Sequence, residues 1–160
     1  MNSLDYAIRL EADGSGYYRE QAKLNAGTTL ERIFTMLAAE EERHELLLKD
    51  IRENVFSTLP TSDLPLNKNL FSDEGPLKNE IRDTITQLEI YQFAQGMEEK
   101  SIALYAGLLK ETTDEKERAL LMFIEQQEHV HADILDELVV RISRPEEWVE
   151  SAEFGPREEY

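Results

Sequence analysis

The sequence predicts an all-α fold in which four long helices form two antiparallel hairpins, joined by a long crossover connection. Three observations carry this. Apolar residues recur at three- and four-residue steps in four separate stretches. With 7 Gly and 5 Pro in 160 residues, there is little material for a turn-rich all-β chain. The longest run of turn residues falls mid-chain and divides the four stretches two and two, as in a bundle with a crossover.

The first helix is expected over residues 3–24, with Leu4, Ala7, Glu11, Tyr18 and Ala22 on one face. Gly14 and Gly16 weaken it by about 1 kcal/mol each relative to alanine, so close packing or access to a site is the expected reason for them. Thr28 followed by Glu31 is a capping-box pattern, and Leu30, Ile33, Phe34, Leu37, Leu48 and Ile51 trace a second helix to about residue 53. The stretch STLPTSDLPLNKNLFSDEGP then breaks the periodicity, with room for a short helix at 77–83. A third long helix is expected over about 85–110, turning Ile90, Tyr91, Ala94, Tyr105 and Leu108 inward. Thr112 with Glu115 repeats the capping pattern. The fourth helix directs Leu120, Leu121, Ile124, Ile134, Leu135 and Leu138 to the core and is expected to end near Ser143, ahead of Pro145. Residues 1–143 thus form the bundle. Residues 144–160 form a tail with room for a short helix, whose Trp148 and Phe154 can cap the bundle or dock on a partner subunit.

Composition narrows the function classes. A formal net charge of -17 repels nucleic-acid phosphates and anionic membranes and draws cations toward any acidic cleft. No nucleic-acid or membrane partner is expected. With no cysteine, disulfides, thiolate metal sites and rubredoxin-type iron centres are excluded within the chain, so a metal must be held by oxygen and nitrogen. The start of the sequence carries acids early and lacks a basic flank before an apolar run, and no run is long enough to span a bilayer. A soluble cytoplasmic protein is the expectation.

The inner stripes are interrupted in a regular way. On the second helix Glu41 and His44 stand where core residues belong, and on the fourth Glu128 and His131 do the same. Glu-x-x-His places two donors on one face a turn apart, which suits convergence on one cation. The first and third helices each add one glutamate, Glu11 and Glu98. Glutamate is common here, so one Glu-x-x-His carries little, and the matching spacings carry the weight. Glu11 precedes Glu41 by 30 residues and Glu98 precedes Glu128 by 30. Tyr18 and Tyr105 each follow their glutamate by seven, and Ala7 corresponds to Ala94. Two helical hairpins offset by 87 residues repeat one pattern. Unpaired carboxylates gathered in an apolar interior would repel one another or take up protons, and two divalent ions would balance four of them. Oxygen-rich donors with one imidazole per metal suit iron or manganese.

These residues resemble the ferritin-like superfamily, and specifically the rubrerythrins, through AIRLEADGSGYY with EERH in the first hairpin and AQGMEEKSIALY with EQQEHVH in the second. The resemblance covers about residues 3–142 and implies a ferritin-like four-helix bundle. It implies a pair of iron ions, or manganese, on Glu11, Glu41, His44, Glu98, Glu128 and His131, with Glu41 and Glu128 bridging and Glu11 and Glu98 terminal. The implied activity is reduction of hydrogen peroxide with electrons from an external carrier such as a rubredoxin-like protein. The alternative is a ferroxidase or iron-storage protein that uses dioxygen at the same six residues. Ferritin-like bundles commonly pair, so a homodimer is expected by analogy. The chain departs from the rubrerythrins in two ways: Ser101 stands where they usually carry a seventh carboxylate, and no cysteine-rich rubredoxin domain is present. The six-residue set resembles the symmetric ferroxidase centre of bacterioferritins equally well.

Tyr18 and Tyr105 are candidate catalytic residues that hydrogen-bond the ligating carboxylates or relay an electron, and the alternative is simple core packing. Gly14 and Ser101, one turn past Glu11 and Glu98, leave room for dioxygen or peroxide or permit tight helix packing. His129 points off the ligand face and reads as solvated. The run AEEERHE offers Glu40 or Glu42 for a second cation, and a solvated face is the expected reading.

Overall fold

The computed structural model describes the backbone of residues 2–55 and 83–158, with side chains for 2–55, 83 and 85–143. Four helices are present: α1 (Ser3–Leu24), α2 (Thr29–Glu53), α3 (Thr84–Glu111) and α4 (Glu115–Glu158). No strand occurs among the described residues. This is an all-α four-helix bundle of ferritin-like type. The expected short helix at 77–83 falls almost wholly outside the described residues.

Local chemistry sets the helix ends. Asn2 caps α1 by accepting from the Asp5 amide at 2.8 Å. The Thr28–Glu31 box forms differently from the expectation. Glu31 reaches past the cap to accept from the Gly27 amide at 2.6 Å, while the Thr28 hydroxyl donates to the Asn25 carbonyl at 2.7 Å. Gly27 sits at φ +81°, a conformation that favours glycine, and turns the chain between α1 and α2. Asn54 (φ 57°) closes α2, with the Val55 amide donating back to the Asp50 carbonyl at 2.9 Å in a Schellman arrangement. Asp83 caps α3 through the Thr86 amide and hydroxyl, and those bonds hold its carboxyl below the usual range. Thr112 is not the cap of α4. Its hydroxyl donates to Leu108 at the end of α3, and Asp114 instead accepts from the amides of Lys116 and Glu117 at 2.9 Å.

α4 also runs further than the sequence suggests, through Pro145 to Glu158. A proline removes one backbone donor and costs roughly 3 kcal/mol in a helix interior. The strong helix formers that follow, Glu146, Glu147, Glu150, Ala152 and Glu153, offset that local stop. Trp148 and Phe154 lie outside the described side chains.

α1 packs mainly on α2 and α3 on α4, with α1 also beside α3 and α2 beside α4. The Tyr17 hydroxyl donates to the Ile90 carbonyl at 3.2 Å, and the Phe34 and Tyr91 rings lie 6.3 Å apart. The start of α3 therefore lies beside the start of α2 and the end of α1, so α2 ends and α3 begins at opposite ends of the bundle. Two apolar clusters fill the interior. One gathers Tyr18, Phe34, Leu37, Tyr91, Ile134 and Leu138. The other gathers Ala7, Leu48, Tyr105, Leu121 and Ile124. Between them, where each helix stripe turns polar, lies a buried layer of carboxylates and imidazoles. No described helix is long and apolar enough to cross a membrane.

Candidate metal centre

Each helix supplies its polar residues from the middle of its buried stripe, so the bundle itself brings them together. Glu11, His44, Glu128 and His131 are fully buried, and Glu41 and Glu98 nearly so. They form two overlapping groups whose candidate ligand atoms lie within 4.8 Å of one another: Glu11, Glu41, His44 and Glu128, and then Glu41, Glu98, Glu128 and His131. Glu41 and Glu128 belong to both. All six residues singled out by the sequence converge here. Each hairpin supplies three members of one group and reaches across to complete the other.

The imidazoles face inward through Nδ1. His44 Nδ1 lies 2.8 Å from Glu128 Oε1 and 3.5 Å from Glu11 Oε2. His131 Nδ1 lies 3.0 Å from Glu41 Oε1 and 3.6 Å from Glu98 Oε1. The rings stack with centroids 5.6 Å apart and planes inclined by 19°. The tyrosines cross between hairpins. Tyr18 on α1 donates to Glu98 Oε1 on α3 at 2.6 Å, and Tyr105 on α3 donates to Glu11 Oε1 on α1. Both hydroxyls contact the carboxylates and also pack in the apolar clusters, so the two sequence readings hold together.

Charge is unevenly shared. Burial pushes Glu41 and Glu128 well above the usual carboxylate range, and the neighbouring carboxylates push them further. Burial acts on Glu11 and Glu98 in the same direction, but it is outweighed. Glu11 is held low by hydrogen bonding to Glu41, His44 and Tyr105, and Glu98 by Glu128, His131 and Tyr18. Burial would lower His131, yet Glu98 and other acids raise it. Burial and the adjacent carboxylates drive both tyrosine hydroxyls far above their ordinary value, so they remain donors.

Smaller residues shape the rim. A Cβ at Gly14 would stand 3.5 Å from the Glu41 carboxyl carbon, an ordinary contact, so the Glu41 side chain lies close against α1 here. Ser101 is buried one turn past Glu98. His129 is exposed, and Glu42 is exposed and paired with Arg19. Glu40 differs from the expected solvated face: it is 6% exposed, and its charge contributes to raising His131. The repeat could have signalled this, because an offset of 87 maps Glu40 onto Gln127, which is also buried.

Fold and centre together define a ferritin-like bundle whose buried carboxylate and histidine groups are able to hold metal, the arrangement general to di-iron carboxylate bundles of this type. Among such proteins the placement is specific. A family model described as Rubrerythrin matches residues 2–139, and the chain belongs to the rubrerythrin family. That family implies a dimetal centre, typically of iron. Comparisons with curated proteins and with solved structures return no match.

Proposed function

We propose that the protein is a dimetal, iron-using oxidoreductase that reduces hydrogen peroxide with electrons from an external carrier. The observation that carries this reading is the sharing of Glu41 and Glu128 between two buried donor groups within a rubrerythrin chain. The donor set fits two divalent ions. Four carboxylates and two neutral imidazoles balance them, and Glu11 Oε2, Glu98 Oε2 and Glu128 Oε2 are buried without hydrogen-bond partners. Glu11, His44 and the shared pair would hold one ion, and Glu98, His131 and the shared pair the other. All-oxygen and nitrogen donors favour iron, with manganese the alternative.

A bound iron pair supplies two electrons and open coordination positions for cleaving a peroxide bond. The chain's residues do the rest. Tyr18 and Tyr105 fix one oxygen of Glu98 and of Glu11 by donation, which leaves the other oxygen of each free to ligate. Peroxide reduction to two waters takes up two protons as well as two electrons. The apolar clusters above and below keep bulk water from reaching the layer along the bundle axis. Lacking cysteine, the chain draws electrons from a separate carrier such as a rubredoxin-like protein, and we place it in the cytoplasm as a homodimer. In the test, iron-loaded, anaerobically reduced protein oxidises faster with hydrogen peroxide than with dioxygen. The opposite preference refutes the reading.

Ser101 in place of a seventh carboxylate favours a second reading, a ferroxidase or iron-storage protein with a symmetric centre. A mineral core formed on aerobic Fe(II) loading supports it. A discrete dimer without mineral excludes it.

A further inference from the structure

A cavity of about 200 Å³ runs between α1 and α3 from the surface to the carboxylates of Glu41 and Glu98. Its walls come in pairs related by the 87-residue repeat: Leu10 with Met97, Gly14 with Ser101, and Asp13 with Lys100. The cavity therefore lies between the two hairpins and reaches the site at Glu41 and Glu98. Its size is informative. One water's share of liquid volume is about 30 Å³, so a two-oxygen molecule such as peroxide or dioxygen fills roughly a third of the space. Its polarity is graded as well. Glu41, Glu98 and the Tyr18 hydroxyl stand at the inner end, Leu10, Met97 and the 59%-exposed Phe93 form an apolar wall farther out, and the exposed Asp13 and Lys100 stand at the rim. Gly14 and Ser101 separate the halves and offer almost no bulk.

We propose that this cavity takes the organic group of a small alkyl or aryl hydroperoxide, with its –OOH end passing Gly14 and Ser101 to reach the centre. The inference rests on the peroxide-reducing reading and specifies its substrate class. The step is ROOH + 2 e⁻ + 2 H⁺ → ROH + H₂O. The O–O bond breaks, two O–H bonds form, and the electrons come from the reduced metal pair, which a chemical reductant or a small electron carrier restores. An apolar body outward and a polar tip inward match the gradient of the walls.

The test has two arms on the full chain. Metal-free protein is titrated with 2-phenylpropan-2-ol, the alcohol product of cumene hydroperoxide, and followed by NMR. Shifts at the Leu10 and Met97 methyl groups are expected, and the Leu10 shifts should be lost in Met97→Trp, which fills the cavity. Absence of shifts at those methyl groups with millimolar alcohol overturns the inference. In the second arm, iron-loaded reduced protein is mixed with cumene hydroperoxide or hydrogen peroxide. The organic peroxide should react with at least a tenth of the hydrogen peroxide rate constant, and Met97→Trp should lower that ratio at least tenfold. A wild-type ratio below a tenth, with hydrogen peroxide still reactive, overturns this inference alone. Inertness to both peroxides overturns the proposed peroxide reduction and this inference with it.

Discussion

Loading the centre with divalent ions should expel protons, because in the metal-free protein protons take the place of cations in holding the carboxylates together. Burial and mutual repulsion raise Glu41 and Glu128, while Glu98 and nearby acids raise His131. Glu11 and Glu98 are lowered and stay ionised. Metal ions entering the layer must therefore displace protons from the shared glutamates and from His131. Each displaced proton makes apparent affinity change tenfold per pH unit, about 1.4 kcal/mol. Calorimetric titration with Mn(II) in buffers of different ionisation enthalpy reads the proton count as a slope. The expected slope shows net proton release, smaller in Glu128→Gln than in the wild type. A wild-type slope of zero would show that the carboxylates are already ionised and balanced without metal, and the electrostatic account of the site would fail.

The same shifts give the metal-free protein a pH optimum. Raised Glu41, Glu128 and His131 stabilise the fold at low pH and lose that contribution as pH rises through their folded values, whereas lowered Glu11 and Glu98 lose theirs only in acid. Thermal melts should therefore peak in mildly acidic buffer and fall toward pH 8; stability rising steadily to pH 8 refutes this. His44→Ala and His131→Ala each remove the single imidazole of one group, so metal analysis should give one ion per chain instead of two. Tyr18→Phe deletes a donor to the buried Glu98 carboxylate and should cost about 1.5–3 kcal/mol in urea unfolding of the metal-free protein. Phe34→Ala, which empties a fully buried site touching Tyr18 and Tyr91, should cost about 3–5 kcal/mol by the same measurement.

How much of this was legible in sequence follows from the range of each interaction. Stripe positions such as Leu37, Leu121 and Leu135 are fixed by helical periodicity alone, and they are buried as the pattern requires. The six polar residues were legible for the same reason, since each sits in phase with a core stripe and its spacing repeats. Caps were less so. Thr112 carries a capping pattern, but a second acceptor two residues on, Asp114, takes the role, and local competition of that kind leaves little trace in composition. The end of α4 was less legible, because Pro145 reads as a local stop and the helix continues through it. Glu40 was misread because a run of charges gives no phase. Its electrostatic neighbour His131 lies on another helix, beyond the reach of any local pattern. The cavity was least legible, because Leu10, Phe93 and Met97 are ordinary apolar residues until α1 and α3 are set side by side.

The repeat explains why the centre also holds the bundle together. Neither hairpin completes a four-residue group alone: the first needs Glu128 and the second needs Glu41. The tyrosines enforce the same exchange, since each donates to the other hairpin's glutamate. Separating the hairpins would thus break both tyrosine–glutamate hydrogen bonds and both four-residue groups, in addition to exposing both apolar clusters. Yet the repeat is not exact where it meets charge. Glu40 adds a negative neighbour to His131, and its counterpart Gln127 is neutral. Gly14, beside the Glu41 carboxyl, has Ser101 as its counterpart. A site built from two copies of one pattern therefore offers two unequal positions, and an ion held beside His131 would sit in the more negative surroundings.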